Sequence, residues 1–320
     1  MKTVKDNIAA AAALIKKNST FIFSTHRNPD ADALGSELAL GIALRRIGKE
    51  VTIFNMSETP ENLRFLPDSE RIKTGKRINS RFNIAVLLDC ESFERCGYII
   101  KEKNYSNGLL FVDHHKSNTN LNDNNIIVHS ASSTSELVYY LIKKLGVPID
   151  HDIATCIYTG IFYDTGGLRY SNVSPEVFKI CAELVAAGVE AREISRQLYE
   201  TKSYNSQRLL GLALSRLNRS DDGKVCWTYL KKDDFIKTAT QQNDTEGFVN
   251  QLSEIAGVSV GIFFREIDRN CTKISFRSKD GIDVAKVASS FGGGGHVSAS
   301  GCMIKKRLDK TIDMVLKEFA

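Results

Sequence analysis

The sequence predicts an α/β protein in two parts. An N-terminal domain with a doubly wound parallel sheet comes first, followed by a helical connector and a smaller C-terminal α+β domain. Three observations lead there. The first half alternates short, continuous apolar runs with helical stretches, the pattern of parallel strands covered on both faces. From Ser174 to about Asn218 the chain reads as helix after helix. Beyond Ser220-Asp221-Asp222-Gly223, a turn signal, β-rich runs return around single helices. The 320 residues suit two domains at roughly 100–200 residues each. The expected boundaries are 1–187 for the first domain, 188–218 for the connector and 219–320 for the second domain.

Taken in order, Ala9–Ile15 is apolar but flanked by Lys5, Asp6, Lys16 and Lys17, so Met1–Lys17 reads as a short surface helix and not a signal peptide. Phe21–Thr25, Val51–Phe54, Ile84–Leu88 and Leu109–Val112 are strand candidates. Leu34–Arg46 carries apolar residues at Leu34, Leu38 and Ile42 and again at Leu40, Leu44 and Ile47, which suits a well-buried helix. Ser133-Thr134-Ser135-Glu136 has the form of a capping box opening a helix that runs to Gly146, and a further helix covers Ile153 to Tyr163. Pro175 suits a helix start and Gly188 a stop, and Gln207–Leu217 is the connector proper. Lys224–Leu230, Val258–Phe264, Lys273–Ser278 and Ser298–Ile304 read as strands, Asp283–Ser290 and Leu308–Phe319 as helices.

Composition narrows the function classes. Hydrophobic residues make up 42% and charged residues 25%, an ordinary globular balance. A net charge of +5 permits anionic substrates without demanding long nucleic acid. No apolar run approaches the roughly 18–20 residues of a membrane helix, so no membrane partner is expected. The seven cysteines are scattered without a C-x-x-C pair, which argues against a disulfide framework or structural zinc and for a reducing cytoplasm.

Three strand candidates run straight into acidic or imidazole side chains. Phe21–Thr25 leads to His26, Asp30 and Asp32, Ile84–Leu88 to Asp89, and Leu109–Val112 to Asp113, His114 and His115. In an open parallel sheet the carboxyl ends of the strands form one rim, where ligands bind. Asp164, before the flexible Thr165-Gly166-Gly167, adds another acid. A single Asp after a strand is usually a cap or turn former. Five carboxylates and three imidazoles on one rim repel one another unless cations neutralise them. More Asp than His, and no thiolate, favours Mn²⁺, with Co²⁺ or Mg²⁺ as substitutes. Two such ions activate a water and clamp a phosphate.

These residues carry a resemblance. His26–Ser36 matches the H-x-x-P-D-x-D-x-x-G-S motif of the DHH phosphoesterase superfamily, and Asp113-His114-His115 is the motif that names it. Asp89 and Asp164 sit where its second and fourth motifs belong. Phe276-Arg277-Ser278 and Gly292-Gly293-Gly294-Gly295-His296 resemble the DHHA1 domain. The ordered set covers nearly the whole chain and looks closest to the NrnA-type family of bifunctional oligoribonucleases and 3′-phosphoadenosine-5′-phosphate (pAp) phosphatases. The resemblance implies that His26, Asp30 and Asp89 hold one metal and Asp32, Asp89, His114 and Asp164 the other, with Asp89 bridging. Asp113 then orients an imidazole, and His115 faces the substrate phosphate or leaving oxygen.

The resemblance also implies that the glycine run is a substrate-binding loop, with Gly293, Gly294, Gly295 and His296 at the nucleotide. Without it, a flexible turn is the simpler reading. Arg277 forks onto a phosphate. Arg169 contacts phosphate or merely serves the surface; Ser298 and Ser300 allow close packing; His129 and His151 are structural or surface residues. The implied activity is hydrolysis of short RNA to mononucleotides, together with removal of the 3′-phosphate of pAp. Alternatives are hydrolysis of cyclic dinucleotides or linear pApA and pGpG, a manganese pyrophosphatase, a RecJ-like exonuclease, and a non-catalytic nucleotide sensor. A homodimer is plausible by the same resemblance.

Overall fold

The computed structural model describes residues 4–120, 124–279 and 281–319. The chain divides into two compact units, Met1–Thr201 and Lys202–Ala320. No described helix is long and apolar enough to cross a membrane.

The first unit runs α1 (Val4–Lys17), β1 (Thr20–Ser24), α2 (Ala31–Arg46), β2 (Glu50–Asn55), β3 (Lys73–Thr74), β4 (Phe82–Leu88), β5 (Tyr105–Asp113), β6 (Ile126–Ile127), α3 (Thr134–Leu145), α4 (His151–Asp164), α5 (Pro175–Ala186) and α6 (Ala191–Tyr199). Its sheet has the order β3-β2-β1-β4-β5-β6 with every pairing parallel. The central strands read as unbroken apolar runs because both faces are covered. Ile84, Val86 and Leu88 of β4 join the cluster built with the helices, while Ala85 and Leu87 join a second cluster with Ile22, Cys96, Ile99 and Phe111. The order of connection reverses between β1 and β4, so the rim above those two strands is the topological switch point.

Helix α2 is buried from Ala31 to Leu44 and packs against α4 at glycine contacts. A Cβ on Gly35 would stand 2.5 Å from the Cys156 carbonyl oxygen, and one on Gly160 would collide with Ser135 Oγ and come within 2.7 Å of Asp32 Oδ1. Helix α1 is a packed layer and not the surface helix its short apolar stretch suggested. Ile8, Ala11, Ala12 and Ile15 are buried at helical spacing.

The second unit runs α7 (Tyr204–Leu214), β7 (Asn218–Arg219), β8 (Val225–Leu230), α8 (Lys232–Thr238), α9 (Phe248–Ser253), β9 (Val260–Asp268), β10 (Cys271–Ser278), α10 (Val284–Ser290), β11 (Gly294–His296), β12 (Ala299–Ile304) and α11 (Leu308–Leu316). The sheet order is β11-β12-β10-β9-β8-β7, antiparallel except for β8 beside β9. Ile262, Phe264, Ile274 and Phe276 form one core with Val284, Ala288 and Val315. Leu230 and Phe263 form another with Leu209, Phe235 and Phe248. The segment 188–218, expected as a connector, contributes α6 to the first unit and α7 to the second.

Gly35→Ala is expected to destabilise the first unit by about 1–3 kcal/mol, the usual cost of overpacking a closed contact. The contact is with backbone, which cannot rotate away. Urea denaturation checks it, and an unchanged midpoint would mean that α2 and α4 are not held this closely.

Candidate metal centre

The site is assembled from strand ends and helix ends. His26 follows β1, Asp89 follows β4, and Asp113 closes β5 with His114 and His115 straight after it. Asp30 caps α2, its Oδ1 accepting from the backbone N–H groups of Asp32 and Ala33 at 3.0 and 3.1 Å. The other oxygen of Asp30 lies 4.0 Å from His26 Nε2. Asp32, fully buried, accepts from the N–H groups of Thr134 at 2.7 Å and Ser135 at 2.9 Å, the first residues of α3. Asp164 closes α4 as its last residue, where the sequence had placed it just beyond the helix.

Asp89 is the hub. It stands in the left-handed region at φ 52°, which Asp tolerates better than most residues. Its Oδ2 is 3.4 Å from His26 Nε2, and its Oδ1 is 3.7 Å from His114 Nε2 and 3.4 Å from His115 Nδ1. The hydroxyl of Thr134 donates to Oδ1 at 2.9 Å. His114 Nε2 also lies 3.1 Å from Asp164 Oδ2. The Nδ1 atoms of His26 and His114 face the carbonyl oxygens of Arg27 and Ala131 at 2.9 and 3.3 Å, so both rings turn Nε2 towards the cluster. Potential donor atoms of His26, Asp30 and Asp89 lie within 4.8 Å of one another, and so do those of Asp32, His114 and Asp164. These oxygens and imidazole nitrogens, with no thiolate, fit divalent cations.

Electrostatics point the same way. Burial, then the charge of Asp89, raises the carboxyl of Asp30; the same causes push Asp32 up to about 7. Burial, then Asp32, Asp30 and Asp89, raises Asp164 well above the ordinary carboxylate range. Asp89 itself is held low: burial opposes its charge, but His115, His26 and His114 prevail. Burial opposes charge on His26 and His115 too, yet Asp89 and the neighbouring carboxylates push them up to about 9 and about 10. Asp164 also sits at the C-terminal end of a helix, where the macrodipole disfavours an anion. A divalent cation held here would offset the repulsion among Asp30, Asp32, Asp89 and Asp164 and take the place of the imidazole protons.

Asp113 is fully buried, and its Oδ1 lies 2.6 Å from His115 Nδ1, so the imidazole it orients is that of His115. Several groups at the site were not singled out in the sequence. Asn118 donates to Asp113 Oδ2 at 2.7 Å, Asn172 to the Asp164 carbonyl at 3.2 Å, and Glu91 groups with Asp113 and His115. The N-cap at Ser133, whose hydroxyl accepts from the Glu136 N–H, was legible, but Glu136 reaches back to the Ser132 N–H and not to that of Ser133, so the expected capping box is only half formed. The second use of this helix start, presenting Thr134 and Ser135 to Asp32 and Asp89, left no local signal.

Other residues singled out in the sequence have contacts or exposure of their own. Arg169 is exposed, its Nε donating to the Gly166 carbonyl at 2.7 Å. His129 and His151 are exposed. Arg277 belongs to the second unit, its Nε donating to Asn250 Oδ1 at 2.9 Å. The glycine run is not simply a loop. Gly294–His296 pairs with β12 as a strand, and an added Cβ at Gly293 would overlap Gly301 and Cys302. Close packing therefore requires Gly293, a positive φ of 143° favours glycine at 295, and Gly294 faces open space. The side chain of His296 lies outside the described residues.

The pH response of the metal-free protein follows from these shifts. Asp32, raised from 3.8 to about 7, stabilises the fold fully below 3.8 and loses that stabilisation as pH rises through 7. His26 and His115 lose theirs as pH passes about 9 and about 10. Cation binding displaces these protons. The rise in Tm on adding Mn²⁺ is therefore expected to be larger at pH 8 than at pH 6, with proton release in calorimetry. A larger rise at pH 6 would contradict this arrangement.

Comparison with known proteins places this geometry in a family. The DHH family N-terminal domain matches residues 20–161 and the DHHA1 domain matches residues 222–320. The chain is 33% identical to the bifunctional oligoribonuclease and PAP phosphatase NrnA of Thermus thermophilus, over 92% of this chain and 87% of that protein. It is 31% identical to the protein of the same name from Bacillus subtilis, over 89% of each. The crystal structure of an exopolyphosphatase-related protein from Bacteroides fragilis superposes with a TM-score of 0.91 at 29% identity, covering 98% of this chain and 96% of that one. The chain belongs to the DHH family, in the branch that joins a DHH domain to a DHHA1 domain and includes these NrnA proteins.

Proposed function

We propose that the chain is a metal-dependent phosphoesterase that hydrolyses short oligoribonucleotides to mononucleotides and removes the 3′-phosphate of pAp. The observation that carries the reading is the pair of potential ligand groups at one strand rim, His26–Asp30–Asp89 and Asp32–His114–Asp164, with Asp89 within 3.7 Å of His114 as well. The NrnA relatives supply the substrate class.

In this reading His26, Asp30 and Asp89 hold one divalent cation, and Asp32, Asp89, His114 and Asp164 hold a second. Mn²⁺ suits the mixture of carboxylate and imidazole, with Co²⁺ or Mg²⁺ as substitutes. Bound there, the ions would supply an activated water and a positive clamp on the phosphate. His115 donates a proton to the leaving oxygen, and Asp113 holds its ring through Nδ1. In the second unit, Arg277 and the Gly293–Gly295 backbone take a substrate phosphate. The modest charge of +5 favours short substrates over long strands. Seven free cysteines agree with a cytoplasmic setting. The family likeness extends the reading to a homodimer.

Purified protein with Mn²⁺ should release mononucleotides from pApA and AMP from pAp. A panel that adds pGpG, cyclic di-AMP and pyrophosphate separates this reading from its neighbours. Turnover of cyclic di-AMP or pyrophosphate alone would overturn it.

Asp89→Asn can keep the left-handed backbone and accept from Thr134 while losing its charge. It is expected to lower kcat about a thousandfold, the several kcal/mol of metal charge stabilisation. His115→Asn should lower kcat about a hundredfold or more while Mn²⁺ binding persists. Loss of Mn²⁺ binding in His115→Asn would make that residue a ligand instead of an acid.

A further inference from the structure

In the second unit, the face of the sheet turned away from Arg277 carries a cavity of about 690 Å³ beside the start of α11. The strand register sets its place. Residues paired directly across strands share a face. Tyr229 pairs with Phe264 and Phe264 with Ile274, and this row packs in one core with Leu308 and Val315 of α11. Arg277 pairs with Gly261 and Gly261 with Cys226. Cys226 is an odd number of residues from Tyr229, so the two rows lie on opposite faces. The cavity is also at the other end of the strands. Arg269 and Asn270 line it from the turn into β10, roughly 20 Å along that strand from Arg277 at ~3.3 Å per residue.

Its lining combines an apolar wall with cations. Tyr229, Leu308 and Ile312 form the wall, and Lys231, Arg269 and Arg307 stand exposed around it. Two acids share the rim, and both are already engaged. Glu266 Oε2 accepts from the Lys232 N–H at 2.9 Å. Asp309 Oδ1 accepts from the Lys310 N–H at 2.9 Å and faces Arg307 Nε at 3.3 Å. Among the described residues, no carboxylate lies within 4.0 Å of the Lys231 ammonium or the Arg269 guanidinium. Three cations against two acids leave the rim positive. The volume falls within the ~300–1,000 Å³ of small-molecule sites, which join apolar walls to a few polar groups in the same way.

We propose that this cavity binds a nucleoside monophosphate, its phosphate held by Lys231 and Arg269 and its base against Tyr229, Leu308 and Ile312. An arginine fork matches two phosphate oxygens. A flat ring covers the apolar wall that a bare phosphate would leave wet. The inference goes beyond the hydrolytic reading and does not depend on it.

Arg269→Glu and Lys231→Glu change exposed side chains outside the cores. Equilibrium dialysis of the full-length protein against radiolabelled AMP in EDTA counts the bound nucleotide. Each variant should bind one AMP fewer per chain where wild type saturates, because a charge-assisted contact turned repulsive weakens one site about tenfold or more. In about 0.1 M salt the Debye length is about 10 Å, so kcat/KM on pAp with Mn²⁺ should stay within about twofold of wild type. At the site the variants lack, unlabelled AMP should displace the label about tenfold better than inorganic phosphate or adenosine. Equal AMP binding in wild type and both variants overturns the site. Phosphate that displaces the label as well as AMP does overturns the base contact, leaving an anion site only. A loss of kcat/KM on pAp as large as the loss of AMP binding makes the cavity part of the substrate path and also overturns the proposal. Failure of wild type to hydrolyse pAp sinks the phosphoesterase reading instead, and the dialysis still decides the cavity.

Discussion

Like charges confined to one strand rim are the constraint around which the first unit is built. Asp30, Asp32, Asp89 and Asp164 cannot all ionise together in a buried cluster, and three of the four are pushed up as a result. The fold nevertheless fixes each of them. Asp30 and Asp32 are placed by helix N-termini, where free N–H groups and the dipole favour an anion. Asp89 is placed straight after the central strand β4, its N–H donating to the Val112 carbonyl and its Oδ1 accepting from the Thr134 hydroxyl. Asp164 alone sits at a helix C-terminus, and so has the least reason to be charged without a cation.

Most of the rim could be read from the sequence because its parts are local. Continuous apolar runs mark doubly covered strands, and an acid or imidazole straight after such a run falls at the carboxyl end by necessity. The supports could not be read. Thr134 and Ser135 hold Asp32 through backbone N–H groups 102 and 103 positions away, and a backbone donor leaves no mark on residue type. Asn118 and Asn172 look like ordinary loop residues until Asp113 and Asp164 are seen beside them. Helices α8 and α9, of seven and six residues, are too short to show a period. The strand expected over Val258–Phe264 begins at Val260 and runs on to Asp268, through the polar residues Arg265 and Glu266 that break its apolar run.

The glycine run shows how one sequence signal can have two physical causes. A cluster of glycines suggests a phosphate loop because bare N–H groups approach an anion closely. Here Gly293 is needed for packing against Gly301 and Cys302 whatever the ligand. Only Gly294 has open space and an ordinary backbone angle. The fold imposes glycine at 293 through packing and favours it at 295 through backbone angle, and it makes no such requirement at 294.

Behind the rim lies a further buried acid, and its state decides whether it adds to the negative charge there. Glu37 is fully buried on α2, and its Oε2 accepts from Asn55 Nδ2 at 2.8 Å. Asn55 Oδ1 in turn accepts from the Thr25 N–H at 3.3 Å, directly before His26. Burial pushes Glu37 up to about 8, and the Asp89 charge adds to the rise, so at neutral pH it is mostly protonated. An ionised Glu37 would have added another anion behind the cluster. A neutral one can anchor the end of β1 through Asn55 and contribute no field. The strut that positions His26 is thus kept electrically silent by the same burial that makes the rim itself demand a cation.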